Sequence, residues 1–425
     1  MKLRLFILVL IFCATRLDAQ FVTGRLTTSF YGWQGRDAND ARLNFMRGYE
    51  NVQLNANSGN FSLGTNLQVS NDFATKIGTD PELRLSSLVL KAHHIADVLD
   101  ISLGRQFIFA GVGNGIVDGA DLKSTFLNGR IVAQAYGGYN VVETRTLNWN
   151  KSLANNSLFG AQITGNLLDN LLVGVSYMNR RRQPDAFTVV RLDSVFDPYL
   201  VTLNSTPYVE EYASVDASYD VLPNVNVYGR GDYDVNLERV SRAELNAHVG
   251  VLSSLYVTAD VLHREPRLEY NSIFAVFNSN STQEVEGGVE YEVSPSVRTY
   301  ARYGYVDYTD DNSQRLTVGG SYEFLSASFT RNFGFAGDLN GLAIQATYPL
   351  PDRIFIPMIA AGYGSYKISP DAATNNVFNG SLGLTYRPVP SFSANIQTQY
   401  MANRLYSNDV RIFLNATYWF STRLN

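Results

Sequence analysis

The sequence predicts an all-β chain that closes into a single transmembrane antiparallel up-and-down β-barrel of about 18–22 strands. Three observations predict it: apolar and polar residues alternate with a period of two in segment after segment, tight turns alternate with longer polar loops, and no helical stretch or linker breaks the series. The composition agrees. Of 425 residues, 26 are Tyr, 24 Phe and 33 Gly, and only 17% are charged, which suits aromatic-rich strands joined by glycine turns. A net charge of -5 is too mild to point to nucleic acid as a partner.

Ahead of the first strand, which begins near Val22, the chain reads as an export signal. Lys2 and Arg4 form a basic start, Leu5 to Phe12 an apolar stretch, and Leu17-Asp18-Ala19 a cleavage site ending on a small residue. The expected division is a signal peptide over residues 1–19 and a barrel over residues 20–425, with no room for a plug domain ahead of the barrel. Cys13, the one cysteine, falls inside the signal. A lipoprotein signal built on it is disfavoured, because Phe12 stands where such signals carry a small residue. Cleavage then leaves no disulfide, thiolate or cysteine-metal chemistry. Beyond the signal no apolar run reaches the roughly 20 residues of a membrane-spanning helix. Strands must then do the crossing, and in lipid a closed barrel leaves no backbone group unpaired.

The strands carry the pattern in order. Between Asn170 and Arg180, Leu171, Val173, Val175 and Tyr177 oppose Gly174, Ser176 and Arg180, with Leu172 and Met178 as exceptions. Between Tyr208 and Val221, Val209, Ala213, Val215, Ala217 and Tyr219 oppose Glu210, Tyr212, Ser214, Asp216 and Ser218, with Glu211 a misfit on the apolar face. Val225, Val227, Gly229 and Tyr233 then oppose Arg230, Asp232 and Asp234; Ala243, Leu245, Ala247 and Val249 oppose Arg242, Glu244, Asn246 and His248; and Leu255, Val257, Ala259 and Val261 oppose Tyr256, Thr258 and Asp260. The most polarised strand sets Val285, Gly287, Val289, Tyr291 and Val293 against Glu284, Glu286, Gly288, Glu290 and Glu292.

A soluble β-sandwich or solenoid would share this alternation. The turns favour a barrel: tight ones at Leu168-Asp169-Asn170, Leu222-Pro223-Asn224, Leu252-Ser253-Ser254, Ser294-Pro295-Ser296, Phe324-Leu325-Ser326 and Val389-Pro390-Ser391 are separated by longer polar loops. Tyr303, Tyr305 and Tyr308, and Tyr418, Trp419 and Phe420, cluster near strand ends, where aromatic girdles meet lipid headgroups.

Leu103-Gly104-Arg105-Gln106, the glycine-rich Gly111-Val112-Gly113-Asn114-Gly115 and Asp118-Gly119-Ala120 resemble the arrangement in Gram-negative outer-membrane porin-like proteins, including the alginate-export type of barrel. The resemblance implies a passive or substrate-selective channel for small solutes or a polyanionic sugar chain. Parity puts Arg105 on the face of Leu99, Ile101 and Leu103, and so toward the outside unless a bulge intervenes. The final strand, with Val410, Ile412, Leu414, Ala416, Tyr418 and Phe420 on one face, resembles the terminal assembly signal of such barrels, although Ser421 to Asn425 extend past it and its customary glycine is missing.

The polar faces should line the lumen. Folding back at Ser294-Pro295-Ser296 sets Glu286, Glu290 and Glu292 beside Arg298 and Arg302, and a transverse field of this kind orients polar solutes. This wall, with Arg230, Arg242, Glu244 and Asp260, is the candidate permeation path; mutual pairing in a wet interior explains the same residues equally well. Two segments are too long for turns. Arg180, Arg181 and Arg182 open a stretch to Pro207 that either constricts the lumen or stands outside as a loop, where the arginines meet an anionic solute or lipopolysaccharide phosphates; Gly111 to Gly119 has the same two options. The Gly-x-Gly spacing there lacks the Lys-Ser/Thr of a nucleotide loop.

The chain carries no recognisable catalytic motif. Its four histidines, His93, His94, His248 and His263, lack metal-ligand spacing, and no Ser sits in a nucleophile motif. Neither enzyme activity, a metal nor a cofactor is expected. The function expected is a porin-like outer-membrane channel for diffusion or export of small polar or anionic solutes, with a non-channel barrel (adhesin, assembly or structural protein) as the alternative. The partners expected are outer-membrane lipid and lipopolysaccharide, the barrel-assembly machinery during biogenesis, the solute, and, left open, further copies of the chain.

Overall fold

The computed structural model describes residues 21–36, 41–78, 80–141, 152–204, 206–266, 281–309, 311–335, 337–369, 371–404 and 408–423. The expected signal peptide and Cys13 lie outside them. The strands are β1 (Phe21–Arg36), β2 (Arg42–Ser58), β3 (Phe61–Asp72), β4 (Glu82–Ile95), β5 (Leu99–Ala110), β6 (Gly113–Phe126), β7 (Ile131–Asn140), β8 (Ser157–Leu168), β9 (Leu171–Arg182), β10 (Phe187–Leu192), β11 (Pro198–Leu203) and β12 (Tyr208–Leu222). They continue as β13 (Val225–Asp234), β14 (Arg239–Leu252), β15 (Leu255–Arg264), β16 (Thr282–Ser294), β17 (Val297–Tyr308), β18 (Asp311–Tyr322), β19 (Leu325–Gly334), β20 (Asp338–Thr347), β21 (Phe355–Lys367), β22 (Asn375–Val389), β23 (Phe392–Ala402) and β24 (Asp409–Thr422).

Each strand pairs antiparallel with the next, and β24 returns to β1 in register from Val22↔Thr422 to Gly32↔Ile412, closing a 22-stranded sheet on itself. That is the upper end of the range read from the sequence. Among the described strands, β10 and β11 stay out of the wall and form a separate two-stranded hairpin, while β9 pairs directly with β12 from Leu171↔Tyr219 to Arg182↔Tyr208. All six tight turns expected from the sequence join adjacent wall strands at the end of the barrel that also holds Phe21 and Thr422.

Alternation now acquires a direction. Val175, Val215, Val285, Val289, Tyr291, Leu382 and Ile396 stand exposed on the outer face, whereas Ser176, Ser214 and Asp232 on the alternate positions are buried. So much contiguous apolar surface has no place on a soluble monomer. Aromatic pairs mark both rims: Tyr418–Phe420 (6.3 Å) and Phe355–Tyr386 (5.1 Å) at the tight-turn end, Trp33–Phe45 (5.2 Å) and Tyr308–Phe335 (5.1 Å) at the other. The misfit Glu211 lies on the outer face near the long-loop end and accepts a 2.6 Å hydrogen bond from the Tyr177 hydroxyl.

The hairpin of β5 and β6 departs from the wall. Pairing between β4 and β5 stops at Leu88↔Arg105, although β4 runs on to Glu82 beside β3 and β5 keeps pairing with β6 to Ala110↔Gly113. The departure follows a row of glycines, Gly104↔Gly119↔Gly138. Gly104 has φ +119°, and a Cβ there would run into the Leu88 carbonyl oxygen; Cβ atoms at Gly119 and Gly138 would meet the backbone of each other's strands. Only glycine tolerates that conformation and that closeness.

Arg105 corrects the sequence reading. It does not look outward but is 4% exposed, its guanidinium forking onto the Asp118 carboxylate at 2.7 Å and donating to the Leu85 carbonyl at 3.1 Å. The parity count assumed an unbroken strand, and the positive φ of Gly104 breaks it one residue earlier.

Candidate functional site: the lumen

The glycine-rich tip, for which the sequence allowed either side of the wall, lies inside. Ile108, Ala110, Val112 and Val117 of the hairpin pack on Tyr136 of β7, Leu158 of β8, Met178 of β9 and Tyr212 of β12, forming the barrel's apolar core. Met178, an exception to the alternation, is thereby explained: it points inward to meet the hairpin. Burying Ile108, Leu158 and Met178 contributes about 1.5–3 kcal/mol each. Room for the Tyr136 ring comes from Gly113 and Gly160, where a Cβ would collide with its hydroxyl. Polar contacts fix the tip: the Val112 amide donates to Ser176 Oγ at 2.9 Å, and Arg180 donates to the Asn114 carbonyl at 2.6 Å.

Arg180, Arg181 and Arg182, which the sequence set at the head of a stretch either constricting the lumen or standing outside, complete β9. Arg180 faces inward and also pairs with Glu210 at 3.0 Å, while Arg181 is exposed and reaches the Ala154 carbonyl at 3.4 Å. Of the segment that follows them, β10 and β11 pair with each other, and Val190, Leu192 and Leu200, with Phe196 in the turn between, are exposed.

The charged residues picked from the sequence share the inner face of β13 to β17. Arg298 donates to Glu292 at 2.6 Å and Arg302 to Glu290 at 2.7 Å. Arg230 forks onto Asp232 of its own strand, with Nε at 2.7 Å, Arg242 pairs with Glu244, with Nε at 2.9 Å, and Asp260 accepts from Asn246 at 2.6 Å. Asn246, His248, Asp260, Glu290 and Arg302 line one cavity of about 290 Å³. Glu286 is the correction here, because its partner is neither Arg298 nor Arg302 but Arg315 of β18, at 2.6 Å. The register runs Glu286↔Gly304↔Arg315, and Gly304, having no side chain, lets the guanidinium reach over a whole strand.

Sequence reasoning missed Arg315, Arg264 and the Arg47 cluster, in which Arg47 meets Glu82 at 2.9 Å and Asp72 at 3.5 Å. For Arg315 a signal existed: a glycine flanked by residues of opposite charge on neighbouring polar faces. Of the histidines, His93 lies beside Asp100 (3.7 Å), His263 beside Glu265 (3.7 Å), and His248 against the Tyr256 ring (5.3 Å). Among the described residues no group of three or more His, Cys, Asp or Glu is arranged to hold a metal ion.

No protein-family model matches the sequence, and no curated protein matches it. Solved structures do match in fold. The FrpB iron transporter from Neisseria meningitidis superposes with a TM-score of 0.56 at 11% identity, over 95% of this chain and 83% of that one. OccAB4 of Acinetobacter baumannii follows at 0.46 and 10%, over 95% and 98% of the two chains, and a BenF-like porin from Pseudomonas fluorescens at 0.43 and 11%, over 95% and 99%. The FrpB match shows a shared large-barrel fold; the other two fall too low in similarity to add to it.

Proposed function

We propose that the chain is exported behind a signal peptide over residues 1–19 and acts, as residues 20–425, as a porin-like channel in the Gram-negative outer membrane, passing small polar or anionic solutes. The apolar outer belt between two aromatic rims supports the membrane address. One observation carries the channel reading: the barrel is too wide for strand side chains to fill, and among the described residues the apolar side of the inward hairpin packs on β7, β8, β9 and β12, while cavities remain along the charged inner faces of β13 to β17. In this reading Arg230, Arg242, Glu244, Asp260, Glu286, Glu290, Glu292, Arg298 and Arg302 line the path, and Arg180 tethers the constriction. Lipid, lipopolysaccharide and the barrel-assembly machinery are the partners such a life requires.

Purified barrel added to a planar bilayer in KCl should give stepwise conductance, and should migrate faster on gels unboiled than boiled. A barrel that shifts on the gel yet gives no steps would favour a non-channel role, for which the exposed apolar hairpin of β10 and β11 is the supporting feature.

A further inference from the structure

One row of the inner wall gathers guanidinium groups without gathering enough acids. From β12 to β16 the register runs Ser214↔Asp232↔Arg242↔Arg264↔Thr282, which sets Arg242 and Arg264 directly opposite each other on neighbouring strands. Like charges in that position repel. The acids nearby are already engaged. Asp232, 1% exposed, accepts from Arg230 at 2.7 Å and from Ser214 at 2.6 Å; Glu244 accepts from Arg242; Glu265 meets Arg239 at 3.2 Å. That leaves Arg264 without an ion pair among the described residues. Both arginines border a cavity of about 530 Å³, lined also by the engaged Asp232 and Glu265 and by Gly111, Val112 and Asn114 of the inward hairpin tip.

We propose that this cavity binds a small oxyanion, a carboxylate or a phosphate, held between Arg242 and Arg264. A guanidinium presents five N–H donors, so Arg242 keeps donors beyond those it gives Glu244, and Arg264 offers a full fork. An anion placed between them replaces their repulsion with charge-assisted hydrogen bonds, which in a partly enclosed site are stronger than in water. The volume lies in the range of small-molecule sites. Because the hairpin tip forms one side, binding and the position of the constriction are linked. The proposal deepens the channel reading and rests on it only in that the anion arrives through the lumen.

The test uses the full mature barrel in detergent, with ³¹P line width of inorganic phosphate and ¹³C line width of labelled acetate as two arms, and KCl conductance measured separately. Wild type should broaden at least one of the two lines in a saturable way; Arg264→Gln should remove most of that broadening, and Arg264→Lys should keep most of it. The anion that broadens names the source chemistry. Unboiled gel migration confirms that each variant is folded, and Arg242→Gln serves as the second variant should Arg264→Gln fail that check. No broadening with either anion, or equal broadening in wild type and both glutamine variants, overturns the site. Arginine-dependent broadening in a barrel that carries no current would keep the site and sink the channel reading instead; current without broadening would do the reverse.

Discussion

Two rows of inward-facing residues, one on each side of the barrel, show how a single wall pattern makes both a packed floor and an open groove. On the hairpin side the register runs Tyr136↔Gly160↔Met178↔Tyr212, large side chains interrupted by a glycine that seats the Tyr136 ring. On the opposite side it runs Gly319↔Ser328↔Ala343↔Gly362↔Asn379, small side chains bordering a groove of about 650 Å³. Every buried hydrophobic residue among those described lies at or before Tyr212. Both rows obey the same in-out alternation, so the polarity of the pattern does not separate them. Inner side-chain size does: where it is large, the wall supports the folded-in hairpin, and where it is small, the lumen stays open. The groove is therefore off-centre, bordered by β17 to β22.

The strongest way to break the contrast is to remove the hairpin tip. Replacing residues 107–116 by a short turn should raise single-channel conductance several-fold, since the tip packs inside the wall on Tyr136, Leu158, Met178 and Tyr212; unchanged conductance would mean that the tip does not narrow the path. A smaller but still large effect is expected at the crease. Arg105→Met leaves Asp118 beside an apolar chain and the Leu85 carbonyl without its donor, and breaking a buried pair in this way costs on the order of 3 kcal/mol. Urea unfolding of the detergent-solubilised barrel would read this loss, and the released hairpin should add noise to the open-channel current.

On the open side the expected stability changes are smaller. Gly362→Leu and Ser328→Leu project into the groove and should lower conductance by a modest fraction while leaving the urea midpoint almost unmoved; a large loss of stability would mean that this side is as tightly packed as the other. The smallest effect belongs to the charged wall. Reversing Arg298 and Arg302 to Glu should shift the reversal potential in a KCl gradient toward cation preference, because both groups lie on the inner face of the wall. Their half-exposed ion pairs contribute only about 0.2–1 kcal/mol each, so folding should survive. Unaltered ion selectivity would reduce these residues to mutual pairing.

Much of the wall was legible residue by residue. Val285 to Val293 and Glu284 to Glu292 fall on the faces that alternation assigned, and Arg298 and Arg302 meet Glu292 and Glu290 across the turn that Pro295 marks. These relations are local: a tight turn fixes the register of the strands it joins, and register fixes which side chains are opposite. Reading failed where a contact skipped a strand, as between Glu286 and Arg315, or where a strand left the wall, as at Arg105. The period-two count alone fixes neither event: Gly304 and the charge of Arg105 on an apolar parity mark the places, but not which distant group is met there.

The class of fold, its turns, its in-out polarity and the charged composition of its inner face are written locally along the chain, because each follows from backbone geometry and from the residues next in line. Only the tertiary structure decided that 22 strands close the ring, that the Gly111 to Gly119 tip lies within it, and that Arg242 and Arg264 come to face each other beside that tip. Those outcomes depend on curvature summed over the whole sheet and on whether Met178, Tyr212 and Leu158 bind the hairpin more favourably than the free edge of β4 does. That competition is between groups distant in the chain, and no short window of residues contains both contenders.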